Sequence, residues 1–92
     1  MAVANQAATL NNVATSTTAA PVFPASGSAR VRTVWNDSAA VLYLAFAGTA
    51  SATNCTVAVA AGGYYEFPQM VFAGAVSGVL ASGTGTARTT EY

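Results

Sequence analysis

Residues 55–68, which read CTVAVAAGGYYEFP, carry the clearest β-pattern in the chain. Val57 and Val59 alternate with small residues before a pair of glycines, and Tyr65 and Phe67 alternate with their neighbours after it. Alternating apolar residues on both sides of a glycine turn are typical of a β-hairpin. The stretch therefore predicts two antiparallel strands that place all four residues on one apolar face.

The apolar residues of the two predicted strands can lie opposite one another for only one of the loop lengths considered. A loop of the two glycines alone would place Glu66 opposite Val59 and break the apolar face. A three-residue loop, 61–63, places Tyr65 opposite Val59 instead, because a shift of one residue turns every side chain to the other face. We therefore expect the three-residue loop, with one glycine at positive φ.

The composition indicates one small domain with very few charges. The chain has 92 residues, three basic and three acidic, no histidine and no net charge, and only 7% of its residues are charged, against about 25% in ordinary soluble domains. Soluble monomers normally use surface charge to stay apart. This surface suits burial in an assembly better, and without clustered basic residues it does not favour nucleic acid or membrane surfaces.

No segment has the pattern of a membrane span or a signal peptide. The longest apolar run, Ala39–Ala47, is about half of the roughly 20 residues that a spanning helix needs. The N-terminus lacks the basic and apolar regions of a signal peptide, which predicts synthesis in the cytoplasm. A single cysteine excludes an internal disulfide.

Residues 1–28 are predicted to form an extended or flexible N-terminal arm and linker. Two prolines flank Val22 and Phe23, and because proline fixes φ and removes a backbone donor, they favour an extended segment with these side chains presented outward. Two interpretations remain open. The arm docks Phe23 on a neighbouring subunit, or it is a tail that folds back over its own domain.

Residues 29–92 carry short β-patterns and no convincing helix. Alternation across 30–36 predicts one strand, and Val41–Phe46 is apolar on both faces, as expected of a central strand. Residues 75–92 predict a second hairpin, in which Gly78 indicates a bulge or a close backbone approach. We therefore predict an all-β fold, a small antiparallel β-sandwich or barrel of about six strands preceded by the arm.

The sequence lacks the residues that catalysis or metal binding would need. It contains neither histidine nor lysine to act as a base, and its three carboxylates match no metal-ligand spacing. We therefore predict that the chain is not an enzyme and has no catalytic, cofactor-binding or metal-binding residues.

Three aromatic residues, Trp35, Tyr64 and Tyr65, could form a platform for sugars. Anchors of a core or an interface are the commoner role of such side chains. Together with the two apolar residues of the arm they give the predicted assembly contacts, which are Val22, Phe23, Trp35, Tyr64 and Tyr65.

Three blocks of sequence carry a resemblance to a known class of protein. They are WNDS followed by LYL (35–38 and 42–44), AAGGYYEFP (60–68) and GAVSGVLASGTGTARTTEY (74–92). The chain resembles, over about 30–92, the small all-β virion structural proteins of tailed bacteriophages, which include capsid decoration and accessory proteins. The resemblance implies an accessory β-domain on the particle, with no catalytic residues to carry over.

The first functional hypothesis implied by this resemblance is a capsid decoration, or cement, protein. Copies of the chain, as homotrimers, would lie on the outer capsid surface of the virion, contact the major capsid protein and stabilise the head by bridging capsomers. The alternative is a tail, neck or fibre accessory component, with or without glycan-binding aromatic residues, and a free-standing host-side binding module is third.

Overall fold

The computed structural model describes residues 7–92, and every regular element in them is a β-strand. The strands are β1 (Thr9–Thr15), β2 (Ala20–Phe23), β3 (Arg32–Asp37), β4 (Leu42–Ala45), β5 (Val57–Val59), β6 (Tyr64–Glu66), β7 (Val76–Leu80) and β8 (Gly85–Glu91). They form two antiparallel sheets of four strands. Sheet A has the order β1-β8-β3-β6, and sheet B has the order β2-β7-β4-β5.

The pairing of the strands is nested along the chain. β4 pairs with β5, β3 with β6, β2 with β7 and β1 with β8, all antiparallel. The chain is therefore one long antiparallel ribbon, doubled back between β4 and β5, whose successive sections alternate between the two sheets. Pairing of β3 with β8 and of β4 with β7 joins these sections within each sheet. An eight-stranded double sheet of this kind is a jelly roll.

The six strands expected from the sequence all occur, but the two expected hairpins do not. β5 and β6 lie in different sheets, as do β7 and β8, so the glycine turns carry the chain from one sheet to the other. In the first turn the N–H of Gly63 donates to the carbonyl of Ala60 at 2.7 Å, and Gly62 has a φ of 71°, as expected for a glycine turn. Val59 lies opposite Leu42 and Tyr65 lies opposite Val34. For β5 and β6, alternation predicted the inward face correctly, but not the partner strand.

The first part of the chain differs from the expected arm. β1 and β2 are edge strands of sheets A and B, so the described residues contain eight strands where about six were expected. Pro21 is tolerated in β2 because an edge strand can spare a backbone donor. Residues 1–6 of the predicted arm lie outside the described residues.

The hydrophobic core lies between the sheets and receives side chains from both. Its buried members are Val22, Phe23, Val34, Leu42, Leu44, Val59, Phe67, Val76, Leu80 and Ala87. Because each strand turns alternate side chains inward, two sheets with one apolar face each bury these faces against one another. The molecule is therefore a β-sandwich.

A loop covers the outer face of sheet B. Residues 46–56, between β4 and β5, bring buried Ala50 against Val79 and Tyr43. The hydroxyl of Ser77 accepts a hydrogen bond from the backbone N–H of Ala50 at 2.9 Å and donates one to the carbonyl of Gly48 at 3.1 Å. β4 is accordingly covered on both faces, as its sequence predicts, whereas the outer face of sheet A carries exposed side chains.

Gly78 lies where β7 passes close to side chains of β2 and β4, and it gives a direct test of core packing. A Cβ atom there would lie 2.6 Å from Cγ2 of Val22 and 3.2 Å from Cδ2 of Leu44. Gly78→Ala should therefore lower the free energy of unfolding by about 1 to 3 kcal/mol, the usual cost of overpacking, as measured by urea denaturation. Gly27→Ala is the matched control, because a Cβ at Gly27 meets no atom within 4 Å. Equal stability of the two variants would contradict the packing described here.

Candidate functional site: the outer face of sheet A

A row of side chains crosses all four strands on the outer face of sheet A. Asn12 pairs with Arg88, Arg88 with Trp35, and Trp35 with Tyr64. Residues in register on neighbouring strands project from the same face of a sheet, so these four residues form one line, which we call the Trp35 row. Its two aromatic side chains are unusually open for their size, since Trp35 is 43% and Tyr64 63% exposed.

The guanidinium of Arg88 organises the row. It lies 5.8 Å from the centroid of the Trp35 ring, within the range of a cation–π contact. Its Nε donates to Oδ2 of Asp37 and its Nη1 donates to Oδ1 of Asn12, both at 2.9 Å. Exposed ion pairs contribute little to stability. Their effect here is to hold one face of the indole ring against a fixed cation.

An apolar side chain flanks the row at one edge of the sheet. Leu10 in β1 is 72% exposed and pairs with Thr90 of β8, beside the Trp35 row. The face thus carries an aliphatic residue at its β1 edge and an aromatic residue at its β6 edge. Exposed apolar groups collected on one face mark interaction sites more often than scattered ones do.

The structure separates the five predicted assembly contacts into two environments. Trp35 and Tyr64 are exposed neighbours on the outer face of sheet A. Tyr65 is half-buried and packs against the core, with its ring centroid 5.5 Å from that of Phe67. Val22 and Phe23 are 4% and 0% exposed and belong to the core.

Val22 and Phe23 are therefore not presented outward as the sequence suggested. β2 pairs with β7, and a register shift between Pro21 and Phe23 interrupts the alternation of the strand, so that two consecutive residues are buried. The Phe23 ring lies edge-on to Phe67, with 5.1 Å between centroids. Neither side chain is accessible to a neighbouring subunit in this fold.

Leu10, Asn12 and Arg88 were not predicted from the sequence. Arg88 and its partner Asp37 are 51 residues apart in the chain, and only the pairing of β3 with β8 brings them together. Alternating polar residues in the last strand do indicate an exposed face there, but they do not reveal which strand lies beside it.

Arg32, by contrast, is a structural residue with no capacity left for a ligand. It is fully buried. All five of its N–H donors have acceptors, which are Glu91 Oε2 for Nε, the carbonyls of Phe72 and Gly74 for Nη1, and the carbonyls of Pro24 and Ala73 for Nη2. Arg32 thus ties three segments together at one end of the sandwich.

The remaining surface offers no second cluster of reactive groups in the described part of the chain. Two shallow depressions lie beside Ala29, one lined in part by Ser26 and Tyr92 and the other by Met70 and Val71. Within residues 7–92, no three His, Cys, Asp or Glu side chains lie together as a metal ion would require. No helix in the same residues is long and apolar enough to cross a membrane. Cys55 is an exposed free thiol.

Comparison of the chain with protein-family profiles, with curated proteins and with solved structures gave no match. The chain is therefore characterised by its own strand order and surface. It is a small jelly-roll domain with exposed aromatic side chains on the outer face of sheet A.

Proposed function

We propose that the chain is a bacteriophage virion structural protein, a capsid decoration (cement) protein that docks on the major capsid protein through the outer face of sheet A. The observation that supports this most is the Trp35 row, because interface hot spots are enriched in Trp, Tyr and Arg. The resemblance over 30–92 favours a place on the phage particle. Jelly rolls are common among viral capsid domains, which adds a fold-level analogy on the same side.

In this role, docked copies of the chain add contact area across the seams between capsomers. The copies also contact one another. A standard interface buries about 800 Å² on each partner. Such a footprint would cover about a seventh of the 5266 Å² surface of the chain, an area that the outer face of one sheet can supply. Each docked copy must be displaced before the seam beneath it can open. Many copies together therefore resist the outward pressure of packaged DNA.

The docking face is tested by replacing both of its aromatic residues. Trp35→Ala with Tyr64→Ala should abolish incorporation into particles, because loss of a single hot spot costs about 2 kcal/mol or more, which is over tenfold in affinity. Incorporation is measured by gel densitometry of purified virions against the major capsid protein. Met70→Ala is the control, since Met70 is 98% exposed but lies in the connection between β6 and β7, outside sheet A. Circular dichroism checks that all variants remain folded. Unchanged incorporation of the folded double variant would refute docking through this face.

The same measurement separates the head from other locations. A decoration protein is present in a copy number comparable to that of the major capsid protein, whereas a neck, tail or fibre component reaches only a small fraction of it. Absence from the particle would refute both.

A glycan-binding tail, neck or fibre component is the second candidate, favoured by the polar groups around the exposed aromatics. Arg88 lies over the indole ring of Trp35, and Asp37 and Asn12 accept hydrogen bonds from the Arg88 guanidinium. Polar groups beside an exposed aromatic ring are a combination that suits sugar rings. Trp35 is the single tryptophan of the chain, so its fluorescence reports directly on this face. A saturable change in its emission on titration with an oligosaccharide panel, together with a low copy number, would favour the second candidate over the first.

A further inference from the structure

The four edge strands of the sandwich differ in how they are protected against pairing with another chain. β2 contains Pro21 and a register shift, and β5 and β6 are three residues long each. Proline, irregular register and short length are the usual devices that block edge-to-edge association. β1 has none of them. It pairs with β8 over seven consecutive residues without a shift, and its sequence, TLNNVAT, contains neither charge nor proline.

The register shows which backbone groups of β1 point away from the sheet. Val31 and Tyr92 exchange both of their backbone hydrogen bonds, at 2.8 and 3.1 Å, so odd-numbered residues of β3 bond to even-numbered residues of β8. The odd-numbered residues of β8 must then bond to β1, where their partners are Thr9, Asn11, Val13 and Thr15. The N–H and C=O groups of Leu10, Asn12 and Ala14 therefore point outward. Among residues 7–92, no strand lies beside them.

We infer that β1 is a pairing edge at which two copies of this chain associate, by antiparallel pairing of β1 with β1 across a twofold axis. A twofold contact uses the same surface on both subunits, and an uncharged strand meets no like charge when it pairs with itself. Pairing centred on Asn12 places Leu10 opposite Ala14 of the partner subunit, which covers the most exposed apolar residue of the face. Sheet A then continues into that of the second copy as one sheet of eight strands.

The inference goes beyond the proposed docking function, because it concerns the backbone edge of β1, although Leu10 and Asn12 also lie at the β1 side of the docking face. It gives a dimer, whereas the resemblance to phage proteins implied homotrimers. Because the contact is only one strand wide, it is smaller than a standard interface. The dimer should therefore dissociate on dilution.

Charge reversal at the edge tests this pairing on the whole chain. Leu10→Lys with Ala14→Lys should be monomeric, and so should Leu10→Glu with Ala14→Glu, since each places like charges directly opposite one another. An equimolar mixture of the two should dimerise again. In sedimentation velocity and light scattering, wild type should approach twice the 9.2 kDa chain mass as its concentration rises. Each variant alone should raise the dimer dissociation constant about tenfold or more.

Ala52→Lys with Ala61→Lys is the matched control, because it adds the same charge at two exposed positions in loops away from β1, and it should still dimerise. The edge variants should fold, because the side chains of Leu10 and Ala14 are exposed, and circular dichroism checks this. The inference is overturned by a wild type that stays monomeric at every soluble concentration or has the mass of three chains. It is also overturned by a lysine variant that associates as tightly as wild type, or by a mixture that fails to associate.

Discussion

Replacing Arg32 by alanine should lower the free energy of unfolding by about 3 to 5 kcal/mol, the cost of breaking a buried ion pair by removal of one partner. The guanidinium is fully buried, and Nε lies 2.9 Å from Oε2 of Glu91, whose side chain is only 13% exposed. Its removal takes a donor from that carboxylate and from four backbone carbonyls, of which that of Ala73 keeps a second donor, the N–H of Ser26. A loss of this size is a large share of the roughly 5 to 15 kcal/mol that stabilises a typical domain.

Arg88→Ala provides the control for this prediction. Arg88 forms an ion pair of the same length with Asp37, but both side chains are more than 40% exposed, so its loss should cost about 1 kcal/mol or less. Urea denaturation followed by circular dichroism measures both variants. Should Arg32→Ala fail to fold, Arg32→Lys keeps the charge with three donors in place of five. Its loss of stability should be larger than that of Arg88→Ala but smaller than the loss expected for Arg32→Ala. Equal stability of Arg32→Ala and Arg88→Ala would contradict a structural role for the buried guanidinium.

The sequence predicted strands well because alternation is a local property. Each of the six expected strands occurs, and β4 is covered on both faces as its apolar residues indicate. The pairing of the strands, in contrast, is not a local property. In a nested ribbon only β4 and β5 are both consecutive and paired, so a glycine turn between two alternating segments does not identify a hairpin. The turn at Gly62 has the backbone conformation that was expected, yet it connects two sheets.

Misassignment of the first strands has a physical cause as well. β1 exposes most of its side chains and β2 contains a proline, and both are features of edge strands that sequence patterns do not separate from an irregular tail. Val22 and Phe23 consequently looked like a docking segment although they complete the core. Alternation over 30–36 separated Arg32 from Trp35, but it could not show that the arginine faces inward and the tryptophan outward.

The candidate site was predictable only in part for the same reason. Trp35 and Tyr64 can be identified from the sequence because they are large aromatic residues in predicted strands. Arg88 and Asn12 cannot, because they join the site only through neighbouring strands that are distant in the chain. The register of the strands decides which residues form a row across a sheet. In this fold the register follows from long-range strand pairing and not from the turns.

Replacing Phe67 by alanine should lower the free energy of unfolding by about 3 to 5 kcal/mol, the range found when a buried phenylalanine is truncated. Phe67 follows β6 of sheet A directly and is 4% exposed. Its ring packs on Phe46 at 4.8 Å between centroids, and on Phe23 at 5.1 Å. Both of these neighbours come from the side of sheet B, so the ring joins the two layers.

Phe72→Ala is the matched control, because it removes the same side chain from the outer end of the same aromatic stack. The Phe72 ring lies 4.8 Å from that of Phe46 but is 37% exposed, so its removal opens no enclosed cavity and should cost less than half as much. Phe67→Leu keeps most of the apolar volume and loses mainly the ring contacts, worth about 0.5 to 1.5 kcal/mol each. It should therefore be intermediate, and it carries the comparison if the alanine variant does not fold. A loss for Phe67→Ala no larger than that for Phe72→Ala would mean that this ring does not hold the two sheets together.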